Sequence, residues 1–401
     1  MSELVLITGG FPYGKGETFL EIELTFLADK FENITLLAIN PRARVARKTP
    51  ENCSVISLDT HLNVISKFKS LRYLFSRQFR QEMKVIRNTY KLKLNKSIVA
   101  TILLSLFKAH KIQKVLSEQI RSKKTVFYSY WTDDAAIALA LLKQRHPDVK
   151  TVCRVHGWDL YFHRHPFTYL PLRHYVSEQM NAIFPVSAIG KSYIVDHWKI
   201  KETNKVITER LGVEAQQKLT PSAGFKVVSC SNLIPLKRIH LVIEALAQIK
   251  DKKIKWIHFG EGQEKEHLIE LAKKKLDVNI TWEFKGAIPN ADLLNWYKQN
   301  RPTVFINVSE SEGIPVSIME AMSFGIPCIA TDVGGVSEIV NNENGVLLSA
   351  DARIEAIIEA ILLFMEKKQQ EQRSRNSYLT WESNYNAQIN YSSFVEEIAA
   401  L

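Results

Sequence analysis

The sequence predicts an α/β chain of two Rossmann-like domains facing each other across a central cleft. Two observations carry this. Short apolar runs alternate with longer helical patterns, the order of a parallel sheet covered on both faces. The alternation lapses at 215–223, AQQKLTPSA, a polar stretch with a proline, and then begins again. The length of 401 residues allows two or three domains, each with its own core.

In the first series, 4–7 reads as a strand and 9–16 as a glycine-rich turn. A helix is expected over 18–31, with Thr18 as N-cap and Glu21 as its capping-box partner. A strand at 34–38 and a basic loop at 41–50 follow, and 61–119 is helical in pattern. Strands at 125–130 and 151–155 flank a helix at 133–144. The loop HGWDLYFHRHPF then leads to a strand at 182–185 and a helix from Ser187. In the second series, strands at 225–230, 254–259, 280–284, 304–307 and 328–330 each precede a helix. Those helices are expected from Ile239, Gln263, Ala291, Val316 and Val336. The tail 353–401 reads as helical throughout, with Trp381, Tyr385, Tyr391 and Phe394 as its larger apolar residues.

Composition narrows the function. No apolar run is long enough to span a bilayer, and the first residues do not form a signal peptide. The four cysteines include no CxxC pair, which argues against a disulfide framework or a zinc site and fits a reducing cytosol. The net charge of +11 is unevenly placed: 61–124 holds 16 Lys and Arg against two acids, a net +14. The remainder is slightly acidic. Such a segment is either a solvated helical face or the footprint of an anionic partner. No nucleic-acid recognition motif accompanies it.

Four motifs carry chemistry. GGFPYGKG at 9–16 approaches a Walker A loop, but Gly16 lacks the hydroxyl that would hold Mg²⁺ and Pro12 lacks an N–H. It reads better as a loop whose backbone comes close to a ligand, with a plain tight turn as the bland reading. HGWD at 156–159 follows a strand, where ligands collect in open α/β sheets, and makes His156 a candidate. His163, His165 and His174 follow at spacings that fit no metal motif. Lys237 and Arg238 precede a helix N-terminus and make a plausible diphosphate site, against the alternative of two exposed loop cations. Glu312 and Glu320, with seven residues between them, would suit paired acid/base work on a glycosidic bond. A carboxylate also suits the vicinal hydroxyls of a ribose or sugar. Glu312 is expected in a loop and Glu320 two turns down the next helix, so the pair need not flank one bond. The N–H groups of Gly313, Ile314 and Val316 lie where a phosphate would be welcome.

Together these residues resemble the retaining GT-B glycosyltransferases of family 4. SESEGIPVSIMEAMSFGIPCIATDVGGVSEIV is similar to the family's E-x7-E signature and the G-G-x-x-E that follows it. SNLIPLKRI is similar to its diphosphate segment, FKGAIPNADLLNWYKQ to its base-binding segment, and HGWD to its N-domain histidine motif. The opening FPYGKGETFLEIEL resembles bacterial members that build capsule, exopolysaccharide or O-antigen.

The resemblance implies an acceptor-binding domain over 1–214, a nucleotide-sugar domain over 215–380, and a C-terminal helix over 381–401 that crosses back, around Trp381, onto the first domain. It implies transfer of a hexosyl group, with retained configuration, from a UDP-sugar in preference to a GDP-sugar. The acceptor would be an oligosaccharide or a lipid-pyrophosphate-linked saccharide. Glu312 would contact the sugar, Glu320 the ribose and Lys237 the diphosphate. Backbone at Ala287 and Ile288 would read the base. His156 would face the donor sugar, with Gly14 near the phosphates. No metal cofactor is implied. Asn232 stands where the family's diphosphate segment has arginine, and Arg238 where it has glycine, so Arg238 is expected to restore the lost cation. The basic stretch 61–124 would bind an anionic membrane surface, which places the chain at the cytoplasmic face of the inner membrane; nucleic acid is not expected. The other readings are a sugar-nucleotide 2-epimerase on a similar scaffold, a glycogen-type phosphorylase, and a non-catalytic sugar-nucleotide-binding protein. The phosphorylase would need a Schiff-base lysine for pyridoxal phosphate, and the chain's size argues against it.

Overall fold

The computed structural model describes every residue except 1, 2, 15, 42, 44, 123, 221 and 222. Lys15 of the glycine loop therefore lies outside the described residues, as do Lys123 of the basic stretch and Pro221 of the linker. The chain forms two compact units, Met1–Glu209 with Tyr391–Leu401, and Arg210–Asn390. The boundaries read from the sequence stood at 214 and 381. Trp381 lies in the second unit, and the chain rejoins the first only from Tyr391.

The first unit holds a parallel sheet of β1 (Glu3–Thr8), β2 (Asn33–Ala38), β3 (Cys53–Ser57), β4 (Thr125–Ser129), β5 (Lys150–Val155) and β6 (Ala182–Pro185), in the order β3-β2-β1-β4-β5-β6. Its inner strands are buried on both faces and largely apolar, as a sheet covered on both sides requires. One face packs on α4 (Lys96–Ser117) and α5 (Asp134–Arg145). There Ile98, Ile102, Leu106, Ala109, Ile112 and Leu116 recur at helical spacing, and Asn95 caps the start by accepting from Ile98 N at 2.9 Å. The other face packs on α1 (Leu20–Lys30) and on Phe394, Val395 and Ile398 of the C-terminal helix. A buried ion pair anchors that helix: Arg154 meets Glu23 at 3.0 Å and sits over the Phe394 ring at 3.8 Å. The helices α2 (Val64–Ser70) and α3 (Arg77–Asn88) precede α4, and a short α6 (Gly157–Leu160), α7 (Arg173–Gln179) and α8 (Ala188–His197) follow β5.

The second unit repeats the plan. Its parallel strands are β7 (Phe225–Cys230), β8 (Ile254–Phe259), β9 (Ile280–Gly286), β10 (Val304–Asn307), β11 (Cys328–Thr331) and β12 (Gly345–Leu348), in the order β12-β11-β10-β7-β8-β9. The connecting helices are α9 (Ile239–Gln248), α10 (Lys265–Lys275), α11 (Asn290–Asn300) and α12 (Val316–Ser323). The tail is α13 (Ile354–Leu363), α14 (Lys367–Asn384) and α15 (Ala387–Ala399).

Several expectations change. The helix after Thr18 starts at Leu20 with Phe19 as an uncapped N-cap, so the capping box with Glu21 is not formed. The helix expected from Val336 is a single 3-10 turn. Strands β3 and β12 lie at sheet edges and were not read from the sequence. HGWD opens a short helix rather than a loop.

Candidate active site

In both units the first strand of the series lies mid-sheet, and the chain runs outward from it in both directions. The crevice where the strand order reverses, between β7 and β10 in the second unit and between β1 and β4 in the first, is where open α/β sheets bind ligands.

In the second unit this crevice is bounded by the loop after β7, which carries Lys237 and Arg238, and the loop after β10, which carries Glu312. The two loops are laced together. Glu310 N donates to Leu236 O at 2.8 Å, and Lys237 Nζ meets Glu312 Oε1 at 2.5 Å. Asn307 Nδ2, at the end of β10, donates to the same Glu312 oxygen at 3.2 Å. Behind Glu312, the main chain is backed by the turn that carries Gly334. Gly334 has a φ of 58°, and a Cβ there would fall 1.9 Å from Glu312 O, so no side chain fits. Gly335 N donates to Gly313 O at 2.8 Å and fixes the loop one residue further on.

Arg238 takes a different position from its neighbour. It sits in the left-handed region with a φ of 49°, and each guanidinium nitrogen donates to a carbonyl. Nε bonds Val308 O at 2.7 Å, one terminal nitrogen bonds Ala350 O at 2.9 Å, and the other bonds Ser309 O at 3.1 Å. Arg238 thus holds the Glu312 loop from behind, and Lys237 is the cation that meets a carboxylate.

Gly313, Ile314 and Pro315 lead into α12, whose first helical residue is Val316. Glu320 is the fifth residue of α12, one turn nearer its start than the sequence reading placed it. It is buried, and burial pushes its carboxyl up to about 7, with a hydrogen bond from Asn290 opposing the shift. Asn290 Nδ2 donates to Glu320 Oε1 at 2.5 Å. Asn290 opens α11 two residues beyond Ile288, so the segment 287–290 and Glu320 form one wall. The sequence reading missed Asn290, because asparagine at a helix start reads as a cap. The hydroxyl of Tyr297 on α11 is buried with no partner among the described residues.

In the first unit the glycine loop is closed by its own acid. The backbone N–H groups of Gly9, Gly10 and Phe11 donate to the Glu17 carboxylate at 2.9, 2.9 and 2.7 Å, and Trp131 Nε1 donates to it at 2.7 Å. Gly14, with a φ of 74°, turns the chain beyond this cradle. Glu17 was not singled out from the sequence. Its signal was present as the one acid within the glycine-rich stretch's immediate reach. His156 follows β5 and is only 8 % exposed. Its ring lies 4.5 Å from that of Trp131, 4.9 Å from Tyr130 and 6.0 Å from Phe19. Neither ring nitrogen has a hydrogen-bond partner among the described residues. Burial, with the Arg154 charge, holds its pKa well below the usual histidine range, so the imidazole is neutral. Asp159 of the same motif accepts from His156 N at 2.7 Å and Thr132 N at 2.6 Å, tying the ends of β5 and β4 together. His165 instead bonds Trp158 O, and the described residues include no group of ligands that could hold a metal ion.

Two six-stranded parallel sheets of identical strand order define a GT-B-type fold. The chain matches a lipopolysaccharide outer core galactosyltransferase, WaaB, over 99 % of both chains with a TM-score of 0.69 at 14 % identity. It matches the Anabaena Alr3699/HepE structure in complex with UDP and glucose over the full length of both, with a TM-score of 0.68 at 15 % identity. Within that fold, residues 213–379, which lie in the second unit, match the family model of glycosyl transferases group 1. In sequence the chain is 28 % identical over 205 residues to the O-antigen biosynthesis glycosyltransferase WbnH of Escherichia coli. That similarity spans 50 % of this chain and 56 % of the relative, and so about half of each.

Proposed function

We propose that the protein is a retaining glycosyltransferase of family 4. It moves a hexosyl group from a nucleoside-diphosphate sugar, UDP-sugar favoured over GDP-sugar, to a saccharide acceptor in surface polysaccharide synthesis. The observation that carries this is the Lys237–Glu312 pair across the β7/β10 crevice, with Glu320 on the helix that begins beside it. UDP in the Anabaena relative of the same fold supports the choice of base.

Lys237 and the start of α12 would neutralise the diphosphate as the glycosidic bond breaks, and this charge stabilisation needs no metal. Glu312 would accept from the sugar hydroxyls, and Asn307 keeps it oriented when Lys237 turns to the phosphate. Glu320, with Asn290 beside it, would hold the ribose, and the backbone of Ala287 and Ile288 would read the base. Arg238 would act through the loop it holds. In the first unit, His156 offers a neutral donor and acceptor to a saccharide, and Glu17 sets the loop that carries Gly14. A lipid-pyrophosphate-linked acceptor would place the protein at the inner face of the cytoplasmic membrane, with 61–124 against its anionic surface.

The test is to incubate the protein with UDP-sugars and acceptor oligosaccharides, measure UDP release, and read the anomeric configuration of the product by NMR. UDP release coupled to an α-linked product from an α-linked donor is expected. Release without transfer would point to the epimerase class, and an inverted product would remove the retaining assignment.

A further inference from the structure

Residues 64–75 turn their apolar side outward. The segment comprises α2 and the 3-10 turn Leu71–Phe75 that continues it. Val64, Phe68, Leu71 and Phe75 recur at intervals of a helical turn, with Ile65 and Leu74 beside them, and all are exposed. Phe68 is 70 % exposed and Phe75 83 %. The residues buried from the same segment are Ser70 and Tyr73. A helix that packed only to complete the core would do the reverse. The segment is nonetheless ordered: Asn63 caps it by accepting from Ser66 N at 2.8 Å, and the Tyr73 ring lies 4.5 Å from that of His110. A preformed apolar stripe of this kind marks an interaction surface.

Charge selects the partner. From residue 61 to residue 81 there is no acid. Lys67, Lys69, Arg72, Arg77 and Arg80 are all exposed along or beside the stripe. A solvent-facing apolar ridge set among cations is the composition that lies in the headgroup region of an anionic bilayer. No helix among the described residues is long and apolar enough to cross a membrane.

We propose that residues 64–75 insert Val64, Phe68, Leu71 and Phe75 into an anionic lipid surface, with the flanking lysines and arginines on the phosphates. This deepens the membrane assignment above, from a charged stretch that is only attracted to a ridge that enters the bilayer. It concerns the first unit alone and holds whether or not the donor assignment does. The two parts separate by salt: attraction between exposed charges is screened, whereas apolar insertion is not.

The full chain would be co-sedimented with phosphatidylcholine vesicles, with and without about 30 mol% phosphatidylglycerol, at low and high salt. The wild-type protein is expected on the anionic vesicles, with binding reduced but not lost at high salt. The double variant Phe68→Ser/Phe75→Ser is expected to lose binding about tenfold or more at both salts, because its apolar contribution is gone. Lys67→Gln/Lys69→Gln is expected to lose only the salt-sensitive part. Unchanged melting temperatures would show that the variants fold, and a UDP-induced shift would report the second unit separately. Absence of wild-type binding, or full binding by the serine variant, would overturn the proposal. So would a self-association that the serine variant abolishes while the wild type ignores vesicles, which would assign the ridge to a second copy.

Discussion

The two units share one strand order and differ in what fills the crevice at its reversal. In the first, three backbone N–H groups and the Trp131 indole converge on the Glu17 carboxylate, an anion the chain supplies itself. In the second, the carboxylate of Glu312 is met by Lys237 and Asn307. A cradle already satisfied by four donors has no unmet demand for a phosphate and acts as a fixed support. A lysine on a flexible stem can leave its carboxylate for a stronger anion. The same topology thus yields a loop braced by its own acid in one unit and a lysine–carboxylate pair in the other. On this difference rests the proposal that the second unit binds the diphosphate.

The largest effect that would break the comparison lies at Lys237. Lys237→Ala is expected to lower turnover about 10²-fold or more, the scale at which one preorganised charge contact to a leaving group acts. Glu312→Gln keeps the shape and removes the charge, and should lower kcat more than it raises KM. Steady-state kinetics with a UDP-sugar decide this. A Lys237→Ala enzyme with wild-type kcat/KM would show that the crevice does not carry the diphosphate.

Next comes Glu17, and here the expected loss is in stability. Glu17→Gln leaves one oxygen for donors that now use two, and exchanges a charged acceptor for a neutral one. A cost of about 1–3 kcal/mol is expected, read as a lower melting temperature together with altered Trp131 fluorescence. If Glu17→Gln melts like the wild type, the loop is held by something else.

The difference between the units also marks how far the sequence could be read. The alternation of strands and helices was legible because inner parallel strands are largely apolar runs buried on both faces, as 4–7 and 304–306 are. The edge strands Cys53–Ser57 and Gly345–Leu348 were not, because each has one neighbour and its burial is mixed. Glu312, Glu320, Lys237 and His156 announce themselves by spacing and position after strands. Their partners do not. Asn290 reaches Glu320 across 30 residues of chain, and Glu17, itself not read from the sequence, is met by Trp131 across 114. Such contacts are set by sheet order, which local pattern does not contain. Arg238 shows the same limit, since its neighbourhood in sequence says cation and its neighbourhood in space says carbonyl.

Glu320 offers a smaller and more specific test. Its carboxyl titrates at about 7, so part of the population is protonated at neutral pH. Because the folded value lies above the ordinary one, the protonated form is favoured by folding, and this contribution to stability is lost as pH rises through about 7. Donor binding runs the other way, because ribose hydroxyls need the ionised carboxylate as acceptor. Affinity for a UDP-sugar, whose diphosphate does not titrate there, should rise as pH passes through that value. Glu320→Gln should raise KM about tenfold with little change in kcat, and should flatten the pH profile. A profile that stays steep in Glu320→Gln would assign the titration elsewhere.

The smallest effect on the donor is expected at Arg238, two loops' width of hydrogen bonds away in role though adjacent in sequence. If its guanidinium replaced the cation missing at Asn232, Arg238→Ala would weaken donor binding as severely as Lys237→Ala. The three carbonyls that it meets argue otherwise. Removing it leaves Val308, Ser309 and Ala350 without those donors and loosens the loop under Glu312. A loss of about 1–3 kcal/mol in stability is expected, with UDP affinity changed by no more than about twofold, the range of a substitution that does not touch the ligand. Calorimetric titration of UDP into Lys237→Ala and Arg238→Ala, each alongside its melting temperature, separates the two roles. Equal losses of UDP affinity would return Arg238 to the diphosphate site, whereas a stability loss confined to Arg238→Ala would fix it as the residue that positions Glu312.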